Sequence, residues 1–117
     1  MATFSKAKLS QSTDGRGIKV ANTVSPGTSL HTAVAGSVDF HEIWIYAFNS
    51  DTASVDVTLE FGGETSPDDV IKQSIPSQSG LYLIVPGLPL QGGVVVKAFA
   101  SKANVVTIHG FVNSIDQ

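Results

Sequence analysis

Turn-forming pairs interrupt this chain so often that no helix of useful length fits between them. Asp14-Gly15, Pro26-Gly27, Gly62-Gly63, Ser79-Gly80, Pro86-Gly87 and Gly92-Gly93 each punctuate an apolar run. No window of eleven or more residues carries apolar positions at i, i+3, i+4 and i+7. Valine, isoleucine and threonine fill the gaps instead, as strands require. The pattern predicts strands near 3–9, 16–22, 28–34, 38–49, 53–62, 69–75, 80–85, 93–100 and 104–113. Thr65 to Asp69 is the one place for a helical turn, with Ser66 as its cap and Pro67 at its first position.

Eight or nine short strands with no room for crossover helices exclude a parallel sheet. The expected fold is all-β, an antiparallel β-sandwich of jelly-roll type, with a closed barrel as the competing architecture. At 117 residues the chain forms one domain. It divides into residues 1–26, a basic N-terminal arm or first strands, and a sandwich body over 27–117. The leading 26 residues hold Lys6, Lys8, Arg16 and Lys19 against Asp14, a net +3. The body holds three lysines against nine acids, a net −6. Such a leader lies on its own body or reaches a neighbour.

Two adjacent strands differ in kind. Val55, Val57, Leu59 and Phe61 alternate with Asp56, Thr58 and Glu60, giving one buried and one wet face. From Phe40 to Asn49 both faces are apolar: Ile43, Ile45 and Ala47 on one, Phe40, Trp44, Tyr46 and Phe48 on the other, with Glu42 the exception. A strand apolar on both faces in so short a chain needs two packing partners, its own core and something else. The aliphatic face is the expected core face and the aromatic face the expected seam. Val94 to Ala100 and Val105 to Asn113 have semi-apolar second faces too, which adds Phe99, His109 and Phe111 to the candidate subunit or partner interface. At 15% charged residues, against about 25% in a typical domain, the surface suits burial against neighbours.

Catalytic chemistry is sparse. The chain has no cysteine, so disulfides, thiolate catalysis and Cys-based zinc sites are excluded. His31, His41 and His109 show no metal-ligand spacing, and Glu64, Asp68 and Asp69 share a loop without an EF-hand pattern. There is no GxSxG elbow and no phosphate loop. We therefore expect no enzyme, no cofactor and no metal. The acidic body argues against nucleic acid. No apolar run approaches the roughly 18 residues of a membrane span, and residues 1–12 lack the apolar core of a signal peptide. The expected site of synthesis is the cytoplasm. An exposed Trp44 or Tyr46 stacking on a sugar ring is the rival to a subunit seam.

Several segments then take on a collective likeness. They are Gly27–Ala33, Glu42–Ser50, Leu59–Gly63, Ile75-Pro76, Gly80-Leu81, Val85–Gly87, Val95–Ala100 and Asn104–Asn113. Over residues 27–113 the chain resembles small tailed-bacteriophage virion proteins of the capsid decoration or cement type. The resemblance implies a non-enzymatic β-rich structural protein on the outer head surface of the virion, often a homotrimer, clamping neighbouring major capsid proteins. Lys6, Lys8, Arg16 and Lys19 would then form a capsid-contacting arm, a role read from charge alone. The alternative is a virion fibre or tail module that binds host glycans through its aromatics.

Overall fold

Pairing in this chain is nested. The computed structural model describes residues 2–117; Met1, the first residue of the basic leader, lies outside the described residues. The strands are β1 (Thr3–Lys8), β2 (Ile18–Lys19), β3 (Thr28–Thr32), β4 (Phe40–Asn49), β5 (Val55–Phe61), β6 (Val70–Ile75), β7 (Tyr82–Leu90), β8 (Val95–Ala100) and β9 (Val106–Asp116). Antiparallel pairs join β5 to β6, β4 to β7, β3 to β8 and β1 to β9, each enclosing the one before. Further pairing of β4 with β9 and of β5 with β8 rolls this long hairpin into two layers. One sheet is ordered β1-β9-β4-β7 with β2 also on β9, and the other β3-β8-β5-β6. That is a jelly-roll sandwich. Among the described residues no helix is long and apolar enough to cross a membrane.

The core lies between the sheets and follows the period-2 pattern of each strand. Ile43, Ile45 and Ala47 of β4 are fully buried beside Ile108 and Val112 of β9. Facing them are Val57 and Leu59 of β5 with Val96 and Ala98 of β8. Leu9 and Val20, on either side of the first loop, are fully buried as well. The leading segment is therefore folded into the sandwich: all six residues of β1 are exposed, but the chain that follows it plugs the core.

Three local readings need correction. Pro86-Gly87 does not end a strand; β7 runs through it to Leu90. Because β7 is an edge strand, Pro86 can forgo the outward hydrogen bond, and two register shifts against β4 absorb the irregularity. Glu60 is not on a wet face but 1% exposed. Its carboxylate accepts hydrogen bonds from Ser25 Oγ at 2.5 Å and the Gly27 amide at 2.6 Å, so the Ser25–Gly27 segment covers it. The turn at 65–69 forms, with the Asp69 amide donating to the Thr65 carbonyl. It is held by the Asp69 carboxylate on the Thr65 amide at 3.2 Å, not by a Ser66 cap.

Candidate interface on the outer face of the five-stranded sheet

Alternation along β4 decides which face looks outward. Ile43, Ile45, Ala47 and Asn49 are buried, whereas Trp44, Tyr46 and Phe48 are half-buried on the other side. Register then assembles a surface around them. Phe111 of β9 stands opposite Trp44, and His109 stands opposite Tyr46. On the other flank β7 sets Pro86 opposite Trp44 and Leu83 opposite Tyr46. Five of the six residues expected at a seam therefore share one face. Phe99 does not join them. It lies on β8, opposite Thr58, in the other sheet. A period-2 pattern tells which residues share a strand face but not which sheet the strand enters.

The row across the middle of this face is tightly ordered. Trp44 and Phe111 stack with ring centroids 5.9 Å apart and planes 10° apart. The Lys6 ammonium lies 4.2 Å from the Phe111 centroid, within cation–π range. Trp44 Nε1 donates to Glu42 Oε1 at 2.8 Å, and Asn113 Nδ2 donates to the same oxygen at 2.9 Å. Those two donors, Asn113 first and then Trp44, hold the Glu42 carboxyl below the usual glutamate range. On the far side the indole rests on Gly87, where a Cβ would come within 2.9 Å of its Cζ2. With its N–H committed and neighbours on both flanks, Trp44 is a packed member of a row. It is not the open platform that sugar stacking requires.

Beyond the Glu42 carboxylate, the cations of the leader gather along one flank of this face. Lys8 stands opposite Phe111 and Lys6 opposite Asn113, both on β1. Lys19 of β2 stands opposite Thr107, and Arg16 sits in the turn just before β2. Among the described residues the ion pairs are Lys72–Asp56 at 3.9 Å, Lys97–Glu64 at 2.6 Å and Lys102–Asp51 at 3.1 Å. All three body lysines are thus neutralised within the fold, and none of the four cations of the leader is. The opposite edge, β7 and the residue before it, exposes Leu81, Tyr82, Leu83 and Leu88. By register Leu83 and Pro86 extend the aromatic face to that edge, whereas Tyr82 and Leu88 stand opposite the core-facing Ala47 and Ile43. The outer face thus runs from cations without ion-pair partners through aromatics to Leu83 and Pro86.

One end of the row is less open than the sequence implies. A Cβ on Gly17 would strike the His109 ring, so the loop before β2 presses on that histidine. A separate cleft of about 590 Å³ opens between the sheets, lined by Phe40, Phe61, Asp69, Leu90 and Val94. Its acids are engaged elsewhere, Asp69 with Thr65 and nearby Glu64 with Lys97. Among the described residues no three His, Cys, Asp or Glu side chains converge on a metal position. The spacing of His31 and His41 in the sequence gives no sign that they converge, yet their ring nitrogens approach to 2.8 Å across the sandwich. No protein-family model matches the chain, and no curated protein matches it either.

Proposed function

We propose that this protein is a non-enzymatic virion component, a decoration or cement protein that binds the outer surface of a phage head and reinforces it as a homotrimer. The observation that carries the reading is the graded outer face of the five-stranded sheet. Its aromatic row is ordered in advance, so little side-chain freedom is lost when a partner covers it. Its cations have no ion-pair partner among the described residues, and they suit an acidic protein surface such as that of an assembled shell of major capsid protein. Its exposed aliphatic edge offers further area to a neighbouring copy. Burying a few hundred Å² of such a face contributes several kcal/mol at roughly 25 cal/mol per Å². Three linked copies multiply that modest contribution, since the second and third contacts form at high effective concentration. The resemblance over residues 27–113 points the same way.

The test is sedimentation of purified protein with undecorated, expanded heads. Saturable co-sedimentation, with heads then surviving heating or chelation that bursts bare ones, is the expected result. Protein that stays in the supernatant while heads remain intact would sink the proposal.

A further inference from the structure

His31 and His41 come from strands of different sheets. His31 is on β3, 3% exposed, and His41 is at the start of β4 on its core side, in line with Ile43 and Ile45. The Ser10 backbone amide donates to His31 Nδ1 at 2.9 Å. A backbone amide can only donate, so His31 Nδ1 is bare and its proton is on Nε2. His31 Nε2–H therefore donates to His41 Nδ1 at 2.8 Å, which leaves the His41 proton on Nε2. The chain of bonds has one direction and one protonation state: Ser10 to His31 to His41, with both rings neutral.

A first added proton breaks it. On His41 Nδ1 it points a second N–H at His31 Nε2–H. If His31 shifts its own proton to Nδ1 to accept that bond, it opposes the Ser10 amide instead. Either route loses one hydrogen bond. Ser10 and Gln11 are the strap that ties the leader to β3: Gln11 N–H donates to the Leu30 carbonyl at 3.1 Å, and Thr32 N–H to Ser10 Oγ at 2.8 Å. The strap is continuous with β1, which buries no side chain of its own.

We propose that Ser10, His31 and His41 form an acid-sensitive clip that loosens the hold of the strap on β3 when either imidazole takes a proton. The surroundings favour the neutral state. Burial and then the neighbouring His41 lower His31 to about 4. Burial also lowers His41, against the opposing pull of Asp116. Asp116 of β9 is the charged group facing the pair. The Asp39 carboxylate ahead of β4 is engaged by the Gln117 amide at 2.8 Å. β7 and β8 present Leu90 and Val96 opposite the two histidines, and the strap from Leu9 to Ser12 has no titratable side chain.

The device belongs to the isolated chain and does not depend on the virion reading. Long-range proton–nitrogen NMR on the labelled protein reads the tautomers directly. Both rings are expected as Nε2–H at pH 7.5, and an Nδ1–H tautomer on either ring would overturn the clip. Amide exchange, corrected for its intrinsic pH dependence, should show protection of Ser10 and Gln11 falling roughly 10²-fold between pH 7 and 4.5. Protection that stays constant over that range also overturns it. The double variant His31→Asn, His41→Asn keeps acceptors near the Nδ1 positions but takes up no proton. Its strap protection should be flat with pH; the same fall as in the native chain would assign the effect to carboxylates and refute the proposal. Should the double variant fail to fold, the native tautomers and titration decide alone.

Discussion

Trp44 and Phe111 stand directly opposite each other on β4 and β9 and stack with planes 10° apart, on the side of the sheet that faces away from the core. A half-buried aromatic pair of this kind adds about 1 kcal/mol beyond its area. Phe111→Ala should therefore lower unfolding free energy by about 2 kcal/mol, below the 3–5 kcal/mol of a fully buried Phe. Urea denaturation of the isolated chain measures this. If the face is a seam, the same variant should lose trimer and head binding at concentrations where the monomer remains folded.

Gly87 is held at φ +78° with the indole ring against its backbone. Gly87→Ala meets two penalties, about 1–2 kcal/mol for the left-handed backbone and a displaced Trp44. Since Trp44 is the chain's single tryptophan, its fluorescence reports the second directly. A red-shifted emission maximum in the folded variant is expected, and an unchanged spectrum would mean that the indole does not rest there.

Removing Glu60 should be disproportionately harmful for a residue the sequence assigns to a wet face. Glu60→Ala strands the Gly27 amide and the Ser25 hydroxyl, a loss of about 2–3 kcal/mol. Proteolysis should then cut the 22–27 loop faster than in the native protein, where Glu60 anchors it. Thr58→Ala, on the same side of the same strand, serves as the control and should stay within about 0.5 kcal/mol.

Reversal of Lys6 and Lys8 to Glu should cost the monomer no more than the Lys6–Phe111 cation–π contact, about 0.5–1 kcal/mol, because neither has an ion-pair partner in the fold. Binding to an acidic shell should weaken at least tenfold, and native binding should weaken as salt rises from 50 to 500 mM, as expected of exposed charges. Lys72→Glu, on the other sheet, is the comparison that should leave affinity alone. Salt-independent native binding would remove the leader from the interface.

Stability should also fall on acidification before most carboxylates titrate. His31 is neutral in the fold down to about pH 4, whereas in the unfolded chain it binds a proton below about 6.5. The unfolded state is therefore favoured progressively from pH 6.5 to 4, and the stabilisation is complete only above that window. Chemical denaturation at pH 7.5, 6 and 5 should show the decline. His31→Asn should reduce it, leaving the part due to His41, which burial also lowers, and the later loss from Glu42 and Asp51, whose carboxyls lie below their usual range.

Local pattern carried the strands and their core faces, and contact between sheets did not show in it. The alternation of Val55, Val57 and Leu59, and the choice of Ile43, Ile45 and Ala47 as the inner side of β4, are read from neighbours two residues apart. Phe99 was grouped with the aromatics of β4 because its strand has a similar pattern, but pairing puts β8 in the opposite layer. Glu60 obeys its strand's alternation and is buried only because a loop 33 residues away folds over it. The two histidines are ten residues apart and meet only because β3 and β4 enter different sheets and face each other. Pro86 misleads for another reason: an edge strand tolerates what a central one forbids.

Nested pairing also fixes the order in which this chain can mature on the ribosome. The β5–β6 hairpin can close before β7, β8 and β9 are available, and each outer pair must wait for a later strand. Thr3 finds Asp116, and Lys8 finds Phe111, only after β9 has emerged. The cationic strand, made before the other strands described, is thus among the last to be seated, and a nascent chain carries it unpaired until β9 follows.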